Sequence, residues 1–311
     1  MKLTPAQILP LLFGAAEVSV DGERITAYKC TEKIRDNWGK LAPFLKLYAS
    51  HTSGIRLDFE TDGTEAVFSL SGGRFEAKVD GLTVCFGEFG AEAQDLRIAL
   101  PEGNHRVTLL YPFLGDGRLC GVDLPDASWV RPHEYSEKFL FLGDSITQGC
   151  FAEADSQAFA WRVSEHFNAD CIIHGVGGGY FHPSVFEAPE GFDPQRVFLA
   201  MGTNDFSWGF SLEELRANTV AYLRKVKEAY GTERVLCILP IWRGDSALAT
   251  HGEDKFLRTV AMIREEEEKA GFSVLDGMTL VPHLPEYYSK DLLHPNGAGF
   301  AEYAKNLIRA L

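Results

Sequence analysis

The sequence predicts an α/β protein in two parts. An all-β, jelly-roll-like sandwich is expected over residues 1–135, followed over residues 136–311 by a three-layer, flavodoxin-like α/β/α domain built on a parallel sheet. Three observations carry this. Between Arg24 and Val122, short runs of alternating apolar and polar residues are separated by turn signals. Beyond residue 138, continuous apolar runs alternate with helical patterns. The polar stretch DASWVRPHEYSEK, from Asp126 to Lys138, lies between the two and reads as the connector.

The first element is a short helix, because Thr4 and Gln7 have capping-box spacing and Pro5 occupies the first helical position. Strands are predicted at IRLDFET from Ile55, AVFSLSGG from Ala66, FEAKVDG from Phe75, TVCFGEF from Thr83 and HRVTLLYPF from His105. Alternation at Ile55, Leu57 and Phe59, and again at Phe75, Ala77 and Val79, predicts one buried and one wet face, as in stacked antiparallel sheets. Gly72-Gly73, Asp80-Gly81 and Asp116-Gly117 supply turn residues suited to positive φ.

In the second part, FLFLG (Phe139 to Gly143), CII (Cys171 to Ile173), VFLAM (Val197 to Met201), VLCIL (Val235 to Leu239) and SVL (Ser273 to Leu275) read as strands buried on both faces. Ser211 and Glu214 form a second capping box. The helix it opens is expected to place Leu215, Val220, Leu223 and Val226 on one side before Gly231 stops it. Further helices are expected from about Gln157 to Phe167, Glu253 to Ala270 and Ala298 to Leu311. In such a sheet, chemistry belongs in the loops beyond the carboxyl ends of the strands.

Composition narrows the function. With 44 acidic against 30 basic residues the formal charge is −14, which repels phosphate backbones and anionic lipid, so neither nucleic acid nor a membrane is an expected partner. No stretch reaches the roughly 18 to 20 apolar residues needed to cross a bilayer. The 6 cysteines are singly spaced, with no CxxC pair; reduced, mostly buried thiols are expected, and no metal site. The apolar run Ile8 to Ala16 resembles a short signal segment, but the capping box before it favours a helix. A cytoplasmic enzyme is the expectation, with secretion the alternative.

The loops carry the informative residues. GDSITQG places Ser145 about two residues past a strand end, where a nucleophile would be exposed; the plain alternative is a Ser/Asp turn. No GxSxG occurs, which argues against the α/β-hydrolase elbow. HGVGGGYFHP, from His174, has glycines that let backbone N–H groups approach a ligand. In GTND, Asn204 offers an amide donor, while Asp205 is expected to be structural. In DLLHP, Asp291 and His294 are three apart, a spacing that on a helical turn puts both on one side. A carboxylate on one imidazole nitrogen would leave the other free to take a serine proton; a surface pair capping the last helix is the alternative.

Taken together, GDSITQG, GVGGG, GTND and DLLHP, in that order, resemble the blocks of the SGNH or GDSL hydrolase superfamily across residues 138 to 311. The resemblance implies Ser145 as nucleophile, His294 as general base and Asp291 as its orienting acid. It also implies an oxyanion hole of the Ser145 N–H, the Gly178 N–H and the Asn204 side chain, with Gly177 the runner-up to Gly178. One departure is that relatives often carry Asn near the end of the second strand, where this chain has Ile173 and His174. The whole architecture is similar to GDSL-type acylhydrolases and carbohydrate acetylesterases with an N-terminal β-sandwich.

The implied reaction is hydrolysis of small acyl esters, acetyl on a carbohydrate foremost, through an acyl-enzyme and without metal or organic cofactor. A thioesterase or lysophospholipase, or a silent carbohydrate-binding protein, are the alternatives. Asp144 and Gly177, with Trp208, Trp242 and Arg243 near the carboxyl edge, complete the expected substrate-binding set; packing at the domain junction is the other reading of these aromatics. The sandwich could bind glycans, shape the active-site wall or make a homo-oligomer contact.

Overall fold

The computed structural model describes residues 1–247 and 253–311. All five apolar runs pair in parallel, in the order Ala169–Gly175, Glu137–Gly143, Arg196–Ala200, Val235–Ile238, Ser273–Leu275. Because side chains alternate along a strand, one strand serves two cores. Phe139 and Phe141 pack with Phe159, Phe300 and Tyr303, from helices Phe159–His166 and Gly297–Ala310. Leu140 and Leu142 pack on the opposite side with Leu223, Val226 and Ile263, from helices Leu212–Tyr230 and Glu253–Ala270. The strand 137–143 lies between the second and third strands in sequence, so the winding reverses there. Its carboxyl end is therefore the crevice where doubly wound sheets bind ligands.

The N-terminal part stacks two antiparallel sheets around Ile25, Phe59, Phe68, Phe75, Leu109 and Leu119. The expected strands form at Arg56–Thr61, Glu65–Ser71, Gly73–Val79, Leu82–Phe89 and His105–Leu110. The connector contributes an edge strand, Val130–Pro132, which pairs with Arg56–Thr61 and tolerates its proline there.

Four expectations are corrected. Residues 32–50 are not strands but two helices, Glu32–Leu41 and Pro43–Ser50, which bury Ile34, Trp38, Leu45 and Ala49 at helical spacing in the core shared with the parallel sheet. The face expected to be wet is covered as well. Arg56, Asp58, Glu76 and Lys78 are all buried, because this outer face packs against the α/β part. There Arg56 Nη2 donates to Asp170 at 2.9 Å, Lys78 pairs with Glu165 at 2.6 Å, and Glu76 accepts from Ser156 N at 3.0 Å. Val220 is 44% exposed; it is five residues from Leu215, and the buried stripe continues through Thr219 and Tyr222 instead. Gly117 has no positive φ; a Cβ there would approach the Phe75 ring at 2.9 Å, so packing demands the glycine.

One buried acid on the outer layer of this fold should control stability. Glu267, on Glu253–Ala270, is fully buried beside Cys237, and burial pushes its carboxyl from 4.5 up to about 8. Such a group favours the folded state most below the ordinary carboxylate range, and the benefit fades as pH rises through the raised value. Relative to wild type, Glu267→Gln should therefore gain in Tm steadily between pH 5 and pH 9. A difference in Tm that does not change with pH would contradict this account of Glu267.

Candidate active site

Gly143 lies level with Gly175 on one neighbouring strand and with Ala200 on the other, so the loops that follow all three leave the sheet together. Immediately after Gly143, Asp144 accepts from Ile146 N at 2.9 Å and caps a one-turn helix, Ser145–Gln148. That cap directs Ser145 out of the strand and leaves its N–H, at the first helical position, without an intrahelical acceptor.

Ser145 Oγ is 2.7 Å from His294 Nε2, and His294 Nδ1 is 2.7 Å from Asp291 Oδ2. With Nδ1–H donated to the carboxylate, Nε2 is left to accept from the serine. Asp291 and His294 do not sit on a helical turn, as their spacing suggested. The chain loops through Leu292 at φ 53, and Asp291 Oδ1 accepts from the N–H of Leu293 and of His294 at 3.0 and 3.1 Å. Partial burial would raise the Asp291 carboxyl, but these bonds and the His294 ring hold it down at about 2. The final helix is capped by Asn296, which accepts from Ala298 N and Gly299 N at 3.0 Å, so the Asp291–His294 pair is not its cap.

The glycine loop is held in place from several sides. Gly175 approaches the Ser145 turn so closely that a Cβ there would lie 2.2 Å from Gln148 N. Gly177 donates its N–H to Gln148 Oε1 at 2.9 Å. Gly178, at φ 77, makes no backbone hydrogen bond through its N–H among the described residues. The structure thus separates the two glycines: Gly177 anchors, and Gly178 keeps a donor available. Asn204 Nδ2 donates one of its hydrogens to Gly179 O at 2.9 Å and retains the other. Asp205 accepts from Phe181 N at 3.1 Å, the structural role expected of it, and burial raises its carboxyl to about 7.

The expected substrate-binding set divides. Trp208 is half-buried beside the glycine loop, donating Nε1 to Gly178 O at 3.1 Å and stacking on Phe44 at 5.8 Å between ring centroids. Trp242 stacks on His283 and packs on Tyr288. Arg243 is corrected: its buried guanidinium is held by both oxygens of Asp245 at 2.7 and 2.6 Å and donates to Thr203 O at 2.6 Å, so it braces the third loop. Asp144 is corrected as well, since its buried carboxylate caps the turn that starts at Ser145; burial raises it to about 6. Gly177 is corrected for the same kind of reason, its N–H being committed to Gln148. Among the described residues no group of three His, Cys, Asp or Glu side chains is placed to hold a metal ion, and no helix is long and apolar enough to cross a membrane.

Several contributors were not singled out in the sequence. Gln148 lies within GDSITQG, and its Nε2 donates to Phe113 O at 2.9 Å, which ties the Ser145 turn to a sandwich loop. Lys29 is wholly buried and donates to Gly175 O at 2.6 Å and to Ser53 Oγ at 2.9 Å; burial lowers its ammonium to about 8. Tyr48 and Phe44, from the helix Pro43–Ser50, press on Gly177 and Gly178. A helical reading of residues 32–50, which Pro43 at a first helical position would have supported, was the available signal.

The family model for the GDSL-like lipase/acylhydrolase family matches residues 141–301, from the strand before Ser145 to the helix after His294. The chain belongs to that family. This GDSL-type protein is accordingly an enzyme, a hydrolase of carboxylic esters. No curated protein gives a significant sequence match. Among solved structures, it is similar to the salicylyl-acyltransferase SsfX3 from a tetracycline biosynthetic pathway, at 20% identity and TM-score 0.85, over 99% of this chain and 96% of that one. A Bacteroides ovatus ATCC 8483 protein described as a GDSL-like lipase is similar at 19% identity and TM-score 0.78, over 100% and 96%. A family two carbohydrate esterase from Cellvibrio japonicus is similar at 15% identity and TM-score 0.71, over 97% and 94%. These likenesses establish that the fold is shared along nearly the whole chain, sandwich included.

The anchoring role of Gln148 is testable. Gln148→Leu strands the Gly177 N–H and the Phe113 carbonyl in a buried setting, and a glycine loop displaced by about 1 Å should cost on the order of 10²-fold in kcat. KM should change little. An unaltered kcat on a soluble acetyl ester would show that the loop holds its position without Gln148.

Proposed function

We propose that this GDSL-type enzyme is a serine esterase that removes small acyl groups, acetyl foremost, from carbohydrate esters through Ser145, His294 and Asp291. The observation carrying this reading is the continuous hydrogen-bonded chain from Ser145 Oγ through His294 to Asp291, with both links at 2.7 Å. Serine is a weak nucleophile until a base takes its proton. As Ser145 Oγ bonds to the ester carbonyl carbon, its proton passes to His294 Nε2, and Asp291 steadies the resulting imidazolium. The carbonyl oxygen, now negative, is received by the N–H groups of Ser145 and Gly178 and by Asn204 Nδ2. Collapse breaks the bond to the alcohol oxygen, which leaves with the proton held on Nε2. Water then attacks the acyl-enzyme, gives its proton to Nε2, and releases the acid as Ser145 recovers the hydrogen.

The substrate class rests on the surroundings. Trp208 and Phe44 stand against Gly178, which supports a short acyl group beside the oxyanion donors. A carbohydrate esterase and an acyltransferase among the structural neighbours are in keeping with an alcohol-bearing substrate.

Ser145→Ala should abolish hydrolysis of p-nitrophenyl acetate; residual turnover equal to wild type would defeat the proposal. Asn204→Ala should lower kcat by roughly 10²- to 10³-fold with a smaller change in KM. A loss confined to KM would place Asn204 outside the oxyanion hole.

A further inference from the structure

Phe151 stands three residues beyond the helix Ser145–Gln148 and is 54% exposed, while its neighbours Cys150 and Ala152 are buried. Its backbone has φ 71, a left-handed conformation that a bulky L residue strongly disfavours. Among the described residues, the non-glycine positions with positive φ are Asp80, Phe151, Asn168 and Leu292. Asp and Asn tolerate this region. The two that do not, Phe151 and Leu292, both belong to His294: Leu292 shapes the turn that delivers it, and the Phe151 ring stacks on its imidazole, with centroids 4.6 Å apart and planes 24° from parallel.

The loop is fixed so that this ring stays where it is. Ala152 N donates to Gly149 O at 3.0 Å, Arg74 Nη1 from the sandwich donates to Glu153 O at 2.7 Å, and Glu76 receives both the N–H and the hydroxyl of Ser156 at 3.0 and 2.7 Å. Neither the left-handed backbone nor the exposed apolar ring is favourable in itself, so the stacking on His294 is the contact that accounts for the place of Phe151.

Resting on the acyl-enzyme reading above, we infer that Phe151 is a specificity residue for the leaving alcohol and forms a flat apolar platform for a ring, either the C–H face of a pyranose or an aromatic alcohol. The chemistry assigns the side. The alcohol oxygen must come within hydrogen-bond reach of His294 Nε2 to collect its proton. The group attached to that oxygen therefore lies next to the imidazole, where the exposed Phe151 ring is stacked. The acyl group lies on the other side of the reacting carbon, toward the Gly178 loop with Phe44 and Trp208.

The test compares acetyl esters that differ only in the alcohol: ethyl acetate, benzyl acetate and a mono-O-acetylated methyl glucopyranoside. It is run with wild type, Phe151→Ala and Phe151→Gly. Glycine accepts the left-handed backbone, so it removes the ring without disturbing the loop. In both variants kcat/KM for at least one ring-bearing ester should fall about tenfold more than kcat/KM for ethyl acetate. A selective fall with the pyranoside alone identifies a sugar, and one with the benzyl ester alone identifies an aromatic alcohol. An equal fall for all three esters, or none, overturns the inference. Ethyl acetate hydrolysis by wild type that Ser145→Ala lacks shows separately whether the acyl-enzyme reading stands.

Discussion

The contact between Ser145 and His294 joins residues 149 apart in sequence, and it exists only because a parallel sheet presents its carboxyl ends at one edge. Each partner is aimed locally, and the sheet brings the two loops together. Ser145 is aimed by the Asp144 cap at the end of the strand Glu137–Gly143, and His294 by a turn whose backbone passes through Leu292 at φ 53. Asp291 closes that turn through two backbone N–H groups and also bonds the imidazole, so one carboxylate sets both the loop and the ring. Holding a leucine in a left-handed conformation costs of order 1 to 3 kcal/mol, a strain the surrounding fold must offset.

The N-terminal half is joined to this arrangement by more than a tether. Its polar face is buried against the α/β part, with Arg56 reaching Asp170, Lys78 reaching Glu165, and Glu76 holding the loop after the Ser145 turn. Buried ion pairs of this kind add little net stability, because desolvation offsets their attraction, but they penalise any other register of the two parts. The register matters at the glycine loop. Lys29 holds Gly175 from behind, Gln148 bridges Gly177 to the sandwich loop at Phe113, and Tyr48 and Phe44 close the outside. A backbone donor is most effective when it is already oriented before a ligand arrives, and here the glycine loop is positioned by Lys29, Phe44 and Tyr48 from the N-terminal part together with Gln148.

The strands and helices of the α/β part were legible because burial on both faces writes continuous apolar runs, and because Ser211 with Glu214 and Gly231 mark their helix ends locally. Ser145, Asn204, Asp291 and His294 could be singled out since each lies in a short block just past a strand. What failed was information held in tertiary contacts. The side chains of Arg56, Asp58, Glu76 and Lys78 follow the alternation of a solvated face, and only the packing of the other half shows that this face is buried. Arg243 looked like a ligand-binding cation, but its partners are Asp245 and the Thr203 carbonyl. Lys29, Gln148 and Phe151 carry no pattern of period or motif, so their roles emerge only when distant segments meet. The helices at 32–41 and 43–50 were within reach, with Thr31 as a cap and buried residues at helical spacing, but the surrounding strand signals masked them.

The most direct measurement is covalent trapping by a fluorophosphonate followed by intact-mass analysis and peptide mapping. A serine made nucleophilic by His294 should take up one equivalent of reagent at Ser145, with the reaction suppressed in His294→Ala. Absence of an adduct, or an adduct on a serine elsewhere with Ser145 unmodified, would contradict the account.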